Sequence, residues 1–362
     1  GAKAIHPGYG FLSENAHFAS LCRKNGIAFI GPDAEDMERL SDKAQITELM
    51  QDAGLKSIPG SGVLTSVEKA LEAAEDIGYP VMLKARSGGG GRGIRMVENA
   101  EELRQVFPLA VSESEVSFGD GAMYMEKYVY PAHHVEMQIL ADEAGKVVCL
   151  GERDCSVQRR HQKLIEESPS PAVGEDQRRR LSEAVIKAVQ KIGYVGLGTL
   201  EFLMDRDGNF WFMEMNVRLQ VEHTVTEALT GIDLVKWQIR TAAGISVPFK
   251  QSDIMMRGVA VECRINARST GTVKMLHIPG GPFVRFDTYM VQGCTVSPFY
   301  DSLLGKLIVM AGTREEAMRK LKAALCELVI DGVETNIEEQ LELVSDPMFV
   351  EGHYDLRFME GR

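Results

Sequence analysis

The sequence predicts an α+β protein, in which strand and helix segments are mixed along the chain without the regular repeat of a doubly wound fold. Two observations support this prediction. Segments such as residues 134–141 and 259–266 alternate apolar and polar side chains, which is typical of strands with one buried face. Segments with helical spacing, such as residues 175–192, lie between such strands.

Composition limits the possible functions. The chain has 362 residues and a net charge of −12, which argues against a general nucleic-acid binder. Its length suits two or three domains with a sizeable core. The 6 cysteines form no CxxC pair, as expected of a reduced, cytoplasmic protein. No apolar run has the length needed to span a membrane, and no signal-peptide pattern is present.

The chain is divided into three regions, residues 1–55, 56–128 and 129–362. The first is a partial N-terminal βαβ domain, the second contains the glycine run, and the third is a mixture of strands and helices. The boundary near residue 56 rests on a change to Pro, Gly and Ser. Helices are predicted at 14–25, 43–53, 65–77, 99–114, 175–192 and 315–328, and the main strands at 27–31, 79–85, 93–97, 122–129, 134–141, 147–150, 198–203, 214–223, 259–266, 279–285 and 296–308.

A run of glycines follows the strand that ends near Lys84. The run consists of Gly88, Gly89, Gly90 and Gly91. It formally matches the dinucleotide-binding GxGxxG pattern, but that motif must open a helix, and residues 93–97 alternate like a strand. We favour a strand–loop–strand flap whose amides close over phosphates, with Lys84 as a point charge beneath. The alternative is a merely flexible turn, although ordering adjacent glycines is entropically costly.

Residues 214–223 alternate polar and apolar side chains. As a strand, they would place five polar residues on one face: Glu214, Asn216, Arg218, Gln220 and Glu222. A solvated face is the simplest interpretation, but this mixture suits a metal and an anion side by side. A turn at residues 205–209 would bring Glu201 alongside. Oxygen ligands from Glu201, Glu214 and Asn216 suit Mg²⁺ and therefore indicate phosphate chemistry.

Two further segments leave alternatives open. Residues 154–163 are dense in polar side chains and form either a solvated edge strand or a basic wall for an anionic substrate. Glu126 and the backbone after it could form a hinge that pairs with an adenine amine.

Together these segments resemble the ATP-grasp superfamily and, within it, the biotin carboxylases. The resemblance covers essentially the whole chain. It rests on residues 6–15, 88–93, 125–128, 152–156, 158–163, 214–216 and 222–223, which match the family's signatures in the same order.

The resemblance implies an ATP-dependent ligase that carboxylates biotin through carboxyphosphate. It also implies that residues 56–128 form a lid domain and that residues 129–362 contain the catalytic core and a C-terminal domain. It assigns Lys43 and Lys84 to the nucleotide phosphates, Glu126 and Lys127 to the adenine hinge, and His134 to the ribose. It assigns the metal to Glu201, Glu214 and Asn216, and bicarbonate to Lys163, Arg218, Gln220 and Val221. Glu222 is the general base, and Gln158 and His161 line the same cleft as the bicarbonate residues. Arg285 lies beside enolised biotin.

The cofactors implied are ATP, Mg²⁺ or Mn²⁺, bicarbonate, and biotin on a carrier protein. The partners implied are a biotin carboxyl carrier protein or domain, a carboxyltransferase component such as that of acetyl-CoA carboxylase in fatty acid biosynthesis, and a second copy in a homodimer. No nucleic acid or membrane partner is expected. Two alternatives remain: a carbamoyl-phosphate-synthetase-like ligase, and a nucleotide-binding scaffold without turnover.

The chain departs from the family pattern in three places. The first βα units of the N-terminal domain are expected to be missing. The loop at residues 268–273 is shorter than usual, and Thr224 stands where a proline is usual. None of these departures removes a residue assigned above.

Overall fold

The structure, a computed structural model, describes residues 1–87 and 93–362, and the side chains of Lys43 and Ala44 lie outside the description. The helices are α1 Ala16–Lys24, α2 Ala34–Ser41, α3 Lys43–Asp52, α4 Val67–Ile77, α5 Ala100–Phe118, α6 Glu175–Ile192, α7 His223–Thr230, α8 Leu234–Ala242, α9 Arg314–Glu327, α10 Ile337–Leu343 and α11 Pro347–Glu351. The strands are β1 Ala4–Ile5, β2 Ala28–Phe29, β3 Val81–Ala85, β4 Ile94–Val97, β5 Met123–Lys127, β6 Ala132–Ala141, β7 Val147–Arg159, β8 Gln162–Ser168, β9 Gly196–Asp205, β10 Phe210–Asn216, β11 Val259–Asn266, β12 Gly271–Thr272, β13 Met275–His277, β14 Val284–Thr288, β15 Thr295–Val296, β16 Leu303–Ala311 and β17 Val329–Asp331.

An eight-stranded sheet in the order β10-β9-β6-β7-β8-β11-β16-β14 forms the centre of the molecule. Every neighbouring pair in it is antiparallel. One core cluster joins α1, α2, α3 and α6 to the β10 end of the sheet, and another joins α9, α10 and α11 to the β11–β16 end. Mixed helices around a large antiparallel sheet confirm the α+β prediction.

The glycine run is flanked by a separate three-stranded sheet, in the order β4-β3-β5. β3 and β4 are antiparallel, with Lys84 opposite Ile94. The strand predicted after the run is therefore confirmed, and the helix that a dinucleotide motif requires is not formed there. Gly88, Gly89, Gly90 and Gly91 lie outside the described residues. Helices α4 and α5 pack on this sheet through buried Ala70, Ala74, Leu103 and Phe107.

The strand predicted over residues 214–223 is wrong beyond Asn216. β10 ends there, the next residues are irregular, and α7 begins at His223 with Glu222 just before it. The shared polar face therefore does not exist. Instead, the chain turns at the sheet end and directs Asn216, Gln220 and Glu222 into the interior, where all three are buried.

The polar segment at residues 154–163 is not a solvated edge. β7 continues to Arg159 between β6 and β8, and Asp154, Cys155 and Ser156 are buried. The edge-strand interpretation is therefore wrong for the buried residues of this segment, whereas residues 160–162 are exposed at the turn between β7 and β8.

Some predicted boundaries also need correction. The helix predicted from residue 65 begins at Val67, capped by Ser66, whose side chain accepts a hydrogen bond from the Lys69 amide. The strand predicted at residues 279–285 begins only at Val284, because the Pro-Gly-Gly-Pro stretch before it does not suit a strand. The segment 296–308 divides into β15 and β16. Within the described ranges, none of the helices is long and apolar enough to cross a membrane.

Candidate active site

Lys163 lies at the centre of a buried cluster of acids near the start of β8. Its Nζ atom lies 2.6 Å from Oε1 of Glu222 and 2.7 Å from Oε2 of Glu136. It is 3.3 Å from Oε1 of Glu201 and 3.4 Å from Oε1 of Gln220. Burial lowers the pKa of Lys163, but the surrounding acidic groups outweigh burial and hold this pKa well above its usual value. The ammonium group therefore stays charged.

Glu222 lies between two cations. Its Oε1 atom accepts from Lys163, and its Oε2 atom accepts from Nη2 of Arg264 at 2.9 Å. Burial raises the pKa of Glu222, but Lys163, Arg264 and Arg153 outweigh it and hold the pKa well below the usual range. The side chain is thus an ionised carboxylate that is 2% exposed.

Glu201 is surrounded by hydrogen-bond donors. Its Oε1 atom accepts from Nδ2 of Asn216 and from Nε2 of Gln220, both at 2.9 Å. Its Oε2 atom is 2.9 Å from Nε2 of His134, and Nδ1 of that ring lies 2.7 Å from Nε2 of Gln158. His134 was predicted near the ribose and Gln158 in the cleft of the bicarbonate residues, and the structure places both in one chain of contacts with Glu201.

The predicted metal ligands meet at the β9–β10 pairing. Glu214 of β10 is directly opposite Glu201 of β9, so both side chains leave the same face of the hairpin. Two carboxylates with the Asn216 amide beside them are hard oxygen donors, and these residues fit Mg²⁺. A second set of residues that could hold a metal ion consists of His134, Glu136 and Glu201, whose ligand atoms lie within 4.8 Å of one another. It shares Glu201 with the predicted set.

Arg218 is held from two sides. Its Nη2 atom donates to Oδ1 of Asn216 at 3.1 Å, and its Nε atom donates to Oε2 of Glu14 at 3.0 Å. The other Glu14 oxygen accepts from the Val217 amide at 3.0 Å. The N-terminal region therefore fixes the orientation of the guanidinium group that was predicted to bind bicarbonate.

The three-stranded sheet places the basic residue Lys84 of β3 near the turn between β7 and β8. Lys84 forms an ion pair with Glu126 across the β3–β5 pairing. Burial and the nearby charge of Lys84 lower the pKa of His161, which stands at the turn between β7 and β8. Lys127 donates to the carbonyl oxygens of Gly78 and Tyr79, at 2.6 and 3.2 Å. The ammonium group of Lys127 is therefore held by carbonyl oxygens of the segment that precedes β3. Lys43 begins α3, and its side chain is not described.

Arg285 of β14 stands apart from the Lys163 cluster, with its side chain 43% exposed. It makes two hydrogen bonds of 2.7 Å to Asp287 and one of 2.8 Å to Glu227. The hydrogen bonds that Arg285 donates to Asp287 raise the pKa of Arg285 against the effect of burial. Val221 contributes a backbone group, because its carbonyl accepts from Nζ of Lys306 at 2.5 Å.

Several groups in this cluster were not predicted as site residues. Glu136, Arg153, Arg264 and Lys306 surround the predicted residues, and Glu14 reaches them from the N-terminal region. Glu136 had a usable signal, since it shares a strand face with His134. Arg264 and Lys306 had none, because their strands come to the site only through the order of the central sheet.

Three features together define an ATP-grasp protein. They are the β3–β4 pair on either side of the glycine run, the eight-stranded antiparallel sheet, and the buried cluster of acids around Lys163. The family described as the carbamoyl-phosphate synthase L chain ATP-binding domain matches residues 42–250. The biotin carboxylase N-terminal and C-terminal domains match residues 1–37 and 262–361.

Individual relatives agree with these matches. A biotin carboxylase of Nostoc is 47% identical over 99% of this chain and 82% of that protein. The Campylobacter jejuni biotin carboxylase structure, a complex named with β-γ-ATP, has a TM-score of 0.96 at 47% identity, covering 100% of this chain and 82% of that one. A Hydrogenobacter thermophilus 2-oxoglutarate carboxylase biotin carboxylase domain dimer, in complex with MgADP, ADP and bicarbonate, has a TM-score of 0.95 at 47% identity, covering 99% and 81%. The chain belongs to the biotin carboxylase family.

Proposed function

We propose that this chain uses ATP and bicarbonate to carboxylate biotin on a carrier protein, through carboxyphosphate. The observation that carries the proposal is the buried pair of Lys163 and Glu222, with Nζ 2.6 Å from Oε1, beside the acidic hairpin of Glu201 and Glu214. A carboxylate base, an anion-binding cation and a metal-binding hairpin are the three elements that activation of bicarbonate by ATP requires.

Lys163 and Arg218 bind the bicarbonate anion in this proposal. Both are anchored to the acidic hairpin, Lys163 at 3.3 Å from Glu201 and Arg218 at 3.1 Å from Asn216. Their geometry is therefore set before the anion binds. Orientation of a weak nucleophile beside the γ-phosphate lowers the entropic part of the barrier, and the two cations offset its charge. Gln220 and Val221 complete this pocket.

Glu222 removes the bicarbonate proton as a bicarbonate oxygen attacks the γ-phosphorus atom. A second anion between Lys163 and Arg218 competes for the Lys163 charge, which raises the pKa of Glu222 toward the range where it accepts a proton. General-base assistance of this kind contributes roughly 10²–10⁴ in rate. ADP leaves, and the carboxyphosphate formed then breaks its C–O bond to give CO₂ and phosphate.

Nucleotide binding uses both the lid and the hairpin. Glu201, Glu214 and Asn216 would hold Mg²⁺, which offsets phosphate charge when bound. Lys84 and Lys43 interact with the phosphates, Glu126 and Lys127 provide the adenine hinge, and His134 lies near the ribose. The glycines Gly88, Gly89, Gly90 and Gly91 act as the flap, a role that remains a prediction.

Biotin is activated on the Arg285 side. The phosphate released from carboxyphosphate takes the proton from biotin N1, and the resulting enolate attacks CO₂. At an effective dielectric of about 20, a guanidinium ~4 Å from the enolate stabilises it by about 4 kcal/mol. The hydrogen bonds from Arg285 to Asp287 and Glu227 fix its position while leaving it accessible. His161 and Gln158 are assigned to the same cleft as the bicarbonate residues.

We infer the partners from the same chemistry. Biotin must arrive on a carrier protein or domain, and a carboxyltransferase must consume the carboxybiotin. A relative of this chain crystallises as a dimer, and this supports a homodimer here.

A cytoplasmic location remains an expectation, since curated relatives include a chloroplastic biotin carboxylase of Arabidopsis thaliana. The division into regions 1–55, 56–128 and 129–362 is likewise a proposal.

The proposal is tested by measuring ADP release from MgATP with and without bicarbonate, and with and without free biotin. Release that requires bicarbonate and rises with biotin is the expected result. The match of residues 42–250 to a carbamoyl-phosphate synthase domain favours one competing reaction, in which ammonia accepts the carboxyl group. Stimulation by ammonia in place of biotin would establish that reaction instead. ATP binding without any ADP release would indicate a nucleotide-binding scaffold.

A further inference from the structure

A second pair of buried carboxylates lies behind Glu222. Glu166 of β8 and Glu262 of β11 are directly opposite each other in the antiparallel pairing, so their side chains leave the same face of the sheet. Both residues are completely buried, at 0% exposure. Each has one carboxylate oxygen without a hydrogen-bond partner, Oε2 of Glu166 and Oε1 of Glu262. Buried polar atoms of this kind need an explanation.

A shared proton supplies that explanation. Two carboxylates at opposed positions of a dry sheet interior do not both ionise readily, because each disfavours the charge of the other. A carboxyl group that keeps its proton can donate from one partnerless oxygen to the other. One proton therefore removes one of the two charges and also pairs both oxygens.

Arg264 connects this pair to the proposed base. Its Nε atom donates to Oε1 of Glu166 at 2.5 Å, and its Nη2 atom donates to Oε2 of Glu222 at 2.9 Å. Glu262 uses its other oxygen, Oε2, to accept from the Thr224 hydroxyl, and Nζ of Lys306 lies 3.9 Å from the same oxygen. The hydroxyl of Thr224 thus directs the partnerless oxygen of Glu262 away from α7.

We propose that Glu166 and Glu262 hold one proton between them, and that this pair, through Arg264, positions Glu222 for its reaction with bicarbonate. The part about Glu222 rests on the proposed function. When the pair is protonated, it has one negative charge, and Arg264 can bind Glu166 and Glu222 at once. Loss of that proton adds a buried negative charge that competes with Glu222 for Arg264.

The surroundings of the pair are consistent with this assignment. The charged and titratable groups around it are Cys155 of β7, Cys263 and Arg264 of β11, Lys306 of β16, Glu222 before α7, and Tyr9 of the N-terminal region. Burial raises the pKa of Glu166 to about 8 against the opposing charge of Arg264, and Glu262 adds to the rise. Burial likewise raises the pKa of Glu262 against the opposing charges of Lys306 and Arg264.

Infrared spectroscopy of the full chain, with glutamate labelled by ¹³C in its side-chain carboxyl, tests the shared proton without turnover. We expect a protonated carboxyl band at neutral pH that disappears as the pH rises. Glu166→Gln and Glu262→Gln should each move the disappearance of the band to lower pH, because the remaining carboxyl group then has burial but no like charge opposite it to raise its pKa. Glu338→Gln, at an exposed position in α10, is the control and should leave the band unchanged. Absence of the band in the unaltered protein, or a band that titrates at the same pH in both variants as in the unaltered protein, would overturn the proposal.

The link to Glu222 is tested by the pH profile of bicarbonate-dependent ADP release. The unaltered protein should lose activity as the pair loses its proton, and in Glu262→Gln this alkaline decline, expressed relative to the neutral-pH rate of each protein, should disappear. A decline that is unchanged in the variant would overturn the link. If no bicarbonate-dependent release exists, the proposed function fails, while the infrared measurement still tests the pair.

Discussion

The Nζ atom of Lys163 lies 2.6 Å from Oε1 of Glu222, so the cation predicted to bind bicarbonate is paired with the carboxylate predicted to remove its proton. The pairing holds the pKa of the base down. In the proposed mechanism, bicarbonate and Glu222 therefore compete for one ammonium group, and binding of the substrate increases the basicity of Glu222. This coupling is the central feature of the proposed mechanism.

Replacement of Lys163 by Gln should raise the pKa of Glu222, because burial then acts with less opposing charge. The acidic limb of the pH profile of kcat/KM for bicarbonate should move to higher pH, and the KM for bicarbonate should rise. Steady-state ADP release over a pH series measures both effects. Lys187→Gln, an exposed change in α6, is the matched control. If the acidic limb lies at the same pH as in the unaltered protein, Lys163 does not control the pKa of the base.

Glu14→Gln should weaken bicarbonate binding although Glu14 belongs to the N-terminal region. The carboxylate makes a 3.0 Å ion pair with Arg218, and its loss removes a charge-assisted bond of about 1.5 kcal/mol. We expect the KM for bicarbonate to rise roughly tenfold with little change in the KM for ATP. Glu35→Gln, exposed in α2, should change neither constant. An equal rise in both constants would indicate a general structural defect.

Arg285→Ala should separate the two halves of the reaction. The side chain lies on β14, outside the Lys163 cluster, so bicarbonate-dependent ADP release without biotin should be nearly unchanged. Carboxybiotin formation should fall by roughly 10²–10³, as expected when one stabilising donor is removed from a developing oxyanion. Parallel assays of ADP and of carboxylated biotin measure how much carboxybiotin forms for each ADP released. Equal loss in both assays would place Arg285 in the first half-reaction.

Glu166 should make the folded protein less stable as the pH rises. In the unfolded chain a glutamate loses its proton near pH ~4.3, whereas in the folded protein the pKa of Glu166 is about 8. Between these values the folded state binds more protons, so the free energy of unfolding decreases with pH and levels off above the folded pKa. Glu166→Gln should flatten that decrease. Denaturant midpoints across this range measure it, with Glu338→Gln as control. If the denaturant midpoint falls with pH equally steeply in Glu166→Gln and in Glu338→Gln, the pKa of Glu166 is not raised in the folded protein.

Much of the fold was predictable from local pattern. The helix over residues 175–192 and the strand over residues 259–266 have the predicted bounds, because their periodicity and boundary signals are strong. The segment 214–223 failed, since its alternation of polar and apolar residues continues past the point where the backbone leaves the sheet. Periodicity describes side chains and does not show where strand pairing ends.

Site prediction has a similar limit. Glu201 and Glu214 could be paired from a hairpin turn signal, which is local in the sequence. Arg264 reaches Glu222 only because β11 pairs with β8, and Glu14 reaches Arg218 across about two hundred residues of chain. Contacts of this kind depend on tertiary topology, so a single sequence carries no local signal for them.

The most direct test of the mechanism follows an oxygen atom. Attack of bicarbonate on the γ-phosphorus forms a P–O bond with a bicarbonate oxygen, and collapse of carboxyphosphate leaves that oxygen on phosphate. With ¹⁸O-labelled bicarbonate, MgATP and this chain, mass spectrometry should find one labelled oxygen in each released phosphate. In Glu222→Gln the labelled product should fall by roughly 10²–10⁴ while ATP binding persists. Phosphate released without label would mean that water attacks ATP, and the proposed role of bicarbonate would be wrong.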